Sequence, residues 1–308
     1  MKLSCKTIKE IYTSSFAYDS IRVFREAYTM DKAIIFGVFE FLGFHFCKKL
    51  LDEGVEVEGI HILEEIPPCF CEEKRMEIGR NANFTEVSST DWKRNSHHKE
   101  SIVFLLDYYD LFIRNNEDFI TKNDVLKEVL ISFKNGKGKI VFLLPIQLLV
   151  DKTILKKSNR LNEIFMLLKE EGIVYQIFYL PTIYGPWQPM EFAFQKFFMG
   201  DIKNKAANDL EINEREWVFD AIFVEDTVNG ILQYINESSE EFILKSGEGN
   251  NWERCARYLS IPWNISGSLP GQQERNIPER VIRESLSYQK RLDEQKHQLG
   301  MIWENYSS

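Results

Sequence analysis

The sequence predicts an α/β protein, a doubly wound parallel sheet with a smaller C-terminal lobe, and three features carry that expectation. A short apolar run, Ala33-Ile34-Ile35-Phe36, ends at Gly37 and leads into a helical pattern from Leu42 to Leu51 that stops at Gly54. A second strand-like run follows over 55–63, and strand, glycine turn, helix and strand in that order form a βαβ unit whose parallel pairing needs a right-handed crossover. Two later runs, Ile102-Val103-Phe104-Leu105-Leu106 and Ile140-Val141-Phe142-Leu143-Leu144, are apolar throughout. Central strands of a parallel sheet are buried on both faces and read this way, whereas a half-exposed strand alternates.

The elements between and after them fit the same plan. A helical stretch is expected around 124–133, a second from Lys157 to Glu171 closed by Gly172, and a strand from Val174 to Tyr179. Residues 1–30 read as a polar N-terminal extension broken at Ser14-Ser15, 31–180 as the sheet domain, and 181–308 as a smaller lobe intertwined with it. The chain should finish in a charged helix from about Ile277 to Gln298. Its apolar positions, Val281, Leu286, Tyr288, Leu292, Leu299 and Trp303, form only a narrow stripe. A helix this polar gains little from lying on a core, so it is expected over the cleft or against a partner or second copy, the alternative being a loosely held surface helix.

Composition narrows the function classes. At 308 residues, 44% hydrophobic and 13% aromatic, the chain can bury a large core. A net charge of -9 with scattered Lys and Arg argues against nucleic acid as a partner. No apolar run has the length of a membrane span, and the start, Met1-Lys2-Leu3-Ser4-Cys5-Lys6, lacks the core of a signal peptide, so a cytoplasmic protein without a membrane partner is expected. Five cysteines fit reduced thiols. The pair Cys69 and Cys71, taken with His61, His97 and His98, matches no zinc spacing, so no metal site is expected.

Three segments in order then carry a resemblance. Gly37-Val38-Phe39-Glu40-Phe41-Leu42-Gly43-Phe44-His45 sits between a strand and a helix, Leu180-Pro181-Thr182-Ile183-Tyr184-Gly185-Pro186 follows the strand expected from Val174 to Tyr179, and Phe223-Val224-Glu225-Asp226-Thr227-Val228 comes later. With Asn81 to Asp91 around Phe84, they resemble blocks of the extended short-chain dehydrogenase/reductase family, the NAD-dependent nucleotide-sugar epimerases and dehydratases, over roughly residues 32–235. The resemblance implies a Rossmann-like fold in which 31–180 is the dinucleotide-binding-type domain and 181–308 the substrate side. It also implies NAD(P) as cofactor and a small molecule or nucleotide sugar as ligand.

Several positions that the family uses are changed. The turn that would hold the cofactor, Gly37, Glu40, Phe41, Leu42 and Gly43, has Glu40 in place of the glycine that lets the backbone approach the pyrophosphate. A carboxylate there is expected to act as a helix cap. His61 stands in place of the acidic residue that binds the ribose, Ser88 in place of an aspartate beside the adenine, and Asp107 in place of a small residue after the third of the apolar strands. Glu40 and Asp107 together would repel a pyrophosphate.

The resemblance also implies a Tyr-x-x-x-Lys pair and a nearby Ser or Thr that exchange a proton with the substrate. Those positions hold Lys156, Arg160 and Pro145, and no tyrosine occurs over 150–171. Pro145 has neither hydroxyl nor N–H, and a protonated lysine is no base. Tyr108 and Tyr109 are the candidate substitutes, packing being their plainer role. Phe219 replaces an arginine that pairs with a nucleotide diphosphate, with Arg215 close by, and Tyr184 and Trp187 are candidates to line the cleft.

The sequence therefore points to a non-catalytic relative with a binding, regulatory or accessory role, in which case NAD(P) need not be bound at all. The alternative is an NAD(P)-dependent nucleotide-sugar epimerase, dehydratase or reductase with relocated acid/base groups. A third is a module that binds a protein partner or forms a homodimer.

Overall fold

The computed structural model describes residues 30–62, 70–92, 101–122, 125–134, 138–150, 159–203, 210–238, 240–262 and 276–307. The N-terminal extension therefore lies outside the described residues apart from Met30. The chain runs β1 (Lys32–Phe36), α1 (Phe41–Asp52), β2 (Glu56–His61), α2 (Cys71–Ile78), β3 (Phe84–Ser88) and β4 (Ile102–Asp107). Three helices follow, α3 (Tyr108–Ile113), α4 (Asp118–Lys122) and α5 (Val125–Phe133), then β5 (Gly138–Pro145), α6 (Gln147–Val150), α7 (Asn159–Glu170) and β6 (Val174–Leu180). The second half holds β7 (Thr182–Tyr184), α8 (Ala193–Ile202), β8 (Ala221–Phe223), α9 (Val224–Tyr234), β9 (Glu241–Ser246), α10 (Asn251–Tyr258), β10 (Glu279–Ile282) and α11 (Tyr288–Ser307).

Eight strands make one parallel sheet in the order β10-β9-β6-β5-β4-β1-β2-β3, and β7 pairs with β8 in a separate short sheet. Strands β4 and β5 are almost wholly buried, as their unbroken apolar runs require. The strand order reverses between β1 and β4, so their C-terminal ends, Phe36 and Asp107, flank the crevice where such sheets place a ligand.

Gly43 fixes the approach of α1 to this sheet. A Cβ there would stand 2.1 Å from the carbonyl oxygen of Gly37, a backbone atom that cannot swing aside. Gly43→Ala is expected to lower stability by about 2–3 kcal/mol, read from urea unfolding. Gly200→Ala in α8, where nothing lies within 4 Å, should leave stability unchanged or slightly higher.

The C-terminal region differs from the sequence expectation in two ways. Residues 279–282 are not helical but form the outer strand β10, which pairs with β9 and buries only Ile282 fully. An edge strand of four residues needs so little apolar content that its charged neighbours hide it. Helix α11 is not held off the core either. Leu292, Gln295 and Leu299 are fully buried on one face, and Gln295 Nε2 donates to Gln188 Oε1 and Gln195 Oε1 at 2.8 Å each. Its contact stripe is completed by an amide that a hydrophobic count does not register.

Cys71 is disulfide-bonded, which corrects the expectation of reduced thiols at that position, while Cys47 and Cys255 are free and buried. Among the described residues no helix is long and apolar enough to cross a membrane, and no group of three or more His, Cys, Asp or Glu residues is placed to hold a metal ion.

Candidate functional site

The crevice between β1 and β4 is built from the turn after β1, the start of α1 and the start of α3. Gly37 takes a φ of +84° that a side chain would strain, and the chain turns there into α1 with Glu40 in extended backbone at the cap position. The Glu40 side chain makes no capping hydrogen bond, contrary to the role expected for it. It points instead to Arg114, whose Nη1 lies 2.7 Å from Glu40 Oε2.

The free amides of α1 are met from a different element. Asp110 Oδ2 accepts from the N–H groups of Phe41 and Leu42, the second at 3.3 Å, and Asp107 Oδ2 accepts from Gly43 at 3.1 Å. Asp107 Oδ1 also accepts from Asp110 N–H at 3.2 Å, so it caps α3 while it holds α1. A helix start offers unpaired N–H groups and the positive end of the helix dipole, and two carboxyl groups of the same chain occupy both.

Lys74 comes in from α2 and is only 2% exposed. Its Nζ donates to Phe39 O at 2.7 Å and lies 5.8 Å from the ring centroids of Phe44 and Trp187. Burial pulls its pKa down to about 8 against the opposing pull of Glu40. Burial and the neighbouring Asp110 push Asp107 well above the usual carboxylate range, and burial raises Asp110 to about 6 although Arg114 opposes it. The carboxyl groups of Glu40 and Asp110 face the cations of Lys74 and Arg114 within this buried cluster.

His61 ends β2 with Nδ1 3.0 Å from Glu86 Oε1, and Glu86 is held in turn by a two-pronged pair with Arg75 at 2.8 Å each. Ser88 is its register partner on β3, and its hydroxyl donates to Asp91 at 2.6 Å. Both are engaged locally. His45 Nε2 lies 2.8 Å from Pro186 O and ties α1 to the Tyr-Gly-Pro segment, burial having pulled its pKa down to about 3 so that the ring is neutral.

Pro145 ends β5 beside Leu180 and is buried. Lys156 lies outside the described residues, and Arg160 is placed in α7 by its backbone alone. Tyr108 and Tyr109 open α3 and are both buried. The Tyr109 hydroxyl accepts from Ile183 N–H at 3.0 Å, its ring stacks on Phe192, and burial pushes its pKa well up. Tyr184 is buried edge-on to Phe194 and Phe223.

Trp187, at φ +68°, reaches the crevice wall beside Phe44, Phe70 and Lys74. Arg215 donates to Phe112 O at 2.7 Å and pairs with Glu117, and Phe219 packs on Trp217 with ring centroids 4.9 Å apart. The structure thus gathers Gly37 to Gly43, Asp107 and Trp187 in one place and leaves Arg215 and Phe219 in contacts of their own. Lys74, Asp110 and Arg114 were absent from the sequence-based candidates. The spacing of Asp107, Asp110 and Arg114, three and four apart on one helix face, is the signal that could have found the last two.

No family model and no curated protein matches the sequence. Solved structures do resemble it. The chain is similar to UDP-glucuronic acid 4-epimerase of Bacillus cereus in complex with UDP-glucuronic acid and NAD, at 14% identity and a TM-score of 0.61, over 88% of this chain and 99% of that one. UDP-glucose 4-epimerase of Thermotoga maritima with UDP-glucose matches over the same shares at 15% identity and a TM-score of 0.60. The dTDP-glucose 4,6-dehydratase of Bacillus anthracis in complex with NAD follows at 12% identity and 0.56, over 88% of this chain and 96% of that one. Identities this low carry architecture and not chemistry. The chain has the fold of the NAD-dependent nucleotide-sugar epimerases and dehydratases, the extended short-chain dehydrogenase/reductase fold.

Proposed function

We propose that this chain is a non-catalytic relative of those enzymes whose scaffold serves a binding, regulatory or accessory role. One observation carries the reading: the amides of Phe41, Leu42 and Gly43 are held by Asp110 and Asp107. A dinucleotide binds such a helix start by placing its pyrophosphate on those N–H groups. Here the groups are satisfied from within, and a dianion would meet Glu40 and Asp110 in a buried setting where their charge is poorly screened. The residues present do not fit a pyrophosphate, so NAD(P) is not a resident cofactor in this reading.

The proton-transfer positions support it. Pro145 brings no hydroxyl, and the hydroxyl of Tyr109, one of the two candidate substitutes, is committed to a backbone N–H and closed off from solvent, while Tyr108 is buried as well. A place in carbohydrate or cell-surface chemistry follows only by analogy with the fold.

Calorimetry with NAD and NADP tests the proposal. The expected dissociation constants are weaker than about 100 μM, and Glu40→Gly should bind at least as well as the parent. Binding in the low micromolar range or tighter, on the order of -8 kcal/mol, or NAD-dependent turnover of a nucleotide sugar by the unaltered chain, would overturn it.

A further inference from the structure

The geometry points to a second ligand site, with a lining separate from the β1/β4 crevice residues and independent of the proposal above: a cavity of about 800 Å³ between α9 and the edge strand β10, built for a hydroxyl-rich monocarboxylate such as a sugar acid. On α9 the residues Asp226, Asn229, Gly230, Gln233 and Tyr234 recur every three or four positions and so share one face. That face looks across the cavity at Val281, Ile282 and Arg283. Gly230 allows the close approach, since a Cβ there would stand 2.3 Å from Ile282 Cδ1.

Three lining side chains have no hydrogen-bond or ion-pair partner among the described residues: Asn229, Gln233 and Arg283. Two carboxamides one helical turn apart each offer a donor and an acceptor, the pairing that adjacent sugar hydroxyls complement. A guanidinium at the end of β10 offers the fork that fits one carboxylate. Val281 and Ile282 line the cavity, with Ile282 buried toward Gly230 of α9, and the volume falls within the usual range of small-molecule sites.

Asp226 sets the charge limit. It is buried, held by Ser285 N–H at 3.3 Å and by Arg291 at 3.8 Å, and it keeps acceptor capacity toward the cavity lining. It accepts a hydroxyl and repels a second negative group, which disfavours nucleoside diphosphates and favours a single acid group at the Arg283 end.

The test uses the full chain with D-glucuronate, D-glucose and acetate as probes, followed by saturation-transfer NMR and calorimetry. D-glucuronate is expected to bind with a dissociation constant on the order of millimolar, more tightly than glucose or acetate. Arg283→Ala should weaken it on the order of tenfold and Arg283→Lys less, with Gln233→Ala reducing it in the same direction. Both residues are exposed, so the melting temperature should stay at the parent value. No transfer to glucuronate, equal transfer to glucose, or glucuronate affinity unchanged in both Arg283→Ala and Gln233→Ala would overturn the assignment. A parallel titration with NAD keeps the two proposals apart, because dinucleotide binding would leave the glucuronate result intact.

Discussion

Arg114→Met is expected to destabilise the folded chain by about 3–5 kcal/mol, the usual cost of leaving a buried charge without its partner. Arg114 has 10% of its side chain exposed, sits 2.7 Å from Glu40, and offsets the field of Asp110 and Asp107. Without it, Glu40 and Asp110 share the single cation of Lys74, and a hydrophobic side chain cannot take up the remaining charge. Urea unfolding at neutral pH measures the loss. Adding Glu40→Gln should recover part of it, since the double variant is again balanced, and the cycle isolates the coupling. A loss below about 1 kcal/mol would mean that the pair is solvated like a surface bridge.

Stability should also fall as pH rises from about 5 to 7, the reverse of ordinary acid denaturation over that interval. Burial raises Glu216 to about 7 and Asp110 to about 6, and it raises Asp107 as well. A carboxyl whose folded value lies above its unfolded value contributes stability that is full below the unfolded value and lost as pH climbs through the folded one. Each such group changes the unfolding free energy by about 1.4 kcal/mol per pH unit inside its window. For Glu216 that window runs from 4.5 to about 7, or roughly 3 kcal/mol in all.

His45 works the other way. Its value is lowered from 6.5 to about 3, so its contribution is lost as pH falls through that range, but it is one group against three. Glu216→Gln isolates one of these contributions. Glu216 accepts from Ala193 N–H and Trp252 Nε1 at 2.8 Å each, so the amide, with one acceptor for two donors, should cost about 1–3 kcal/mol outright. It should also flatten the pH slope by about 1.4 kcal/mol per unit. Parallel unfolding curves at pH 5, 6 and 7 with the same slope in both proteins would show that Glu216 is ionised throughout.

The central sheet was readable because its signals are local. Strands β1, β4, β5 and β6 are short apolar runs bounded by glycine or charge, and Gly54 and Gly172 mark where helices stop. Strand β3 lies at an edge with only partial burial, and the resemblance rather than its pattern placed the segment around Phe84. Strand β10 escaped altogether for the same physical reason.

At the site, position told which residues stand at the crevice but not what they touch. Glu40 and Asp107 could be read as hostile to a pyrophosphate. Which carboxyl groups hold the amides could not, because Asp110 reaches Phe41 across 69 positions of sequence and Lys74 reaches Phe39 across 35. No periodicity encodes contacts of that range. The disulfide at Cys71 was equally hidden, since cysteine count alone does not say which thiols meet.

The placement of β9 and β10 bears on how the chain is made. Strand β6 is apolar and almost fully buried in the finished sheet, yet its outer neighbour β9 is synthesised only after β7, α8, β8 and α9. While the ribosome works through residues 181–240, the nascent sheet presents β6 as a bare edge whose N–H and C=O groups seek any extended strand within reach. Because β9 then waits for β10 to cover its own flank, the last barrier to intermolecular pairing falls into place only with residues 279–282. Slow translation over 181–240 would prolong that exposure, so yield in a cell depends on the pace of synthesis there as well as on the stability of the product.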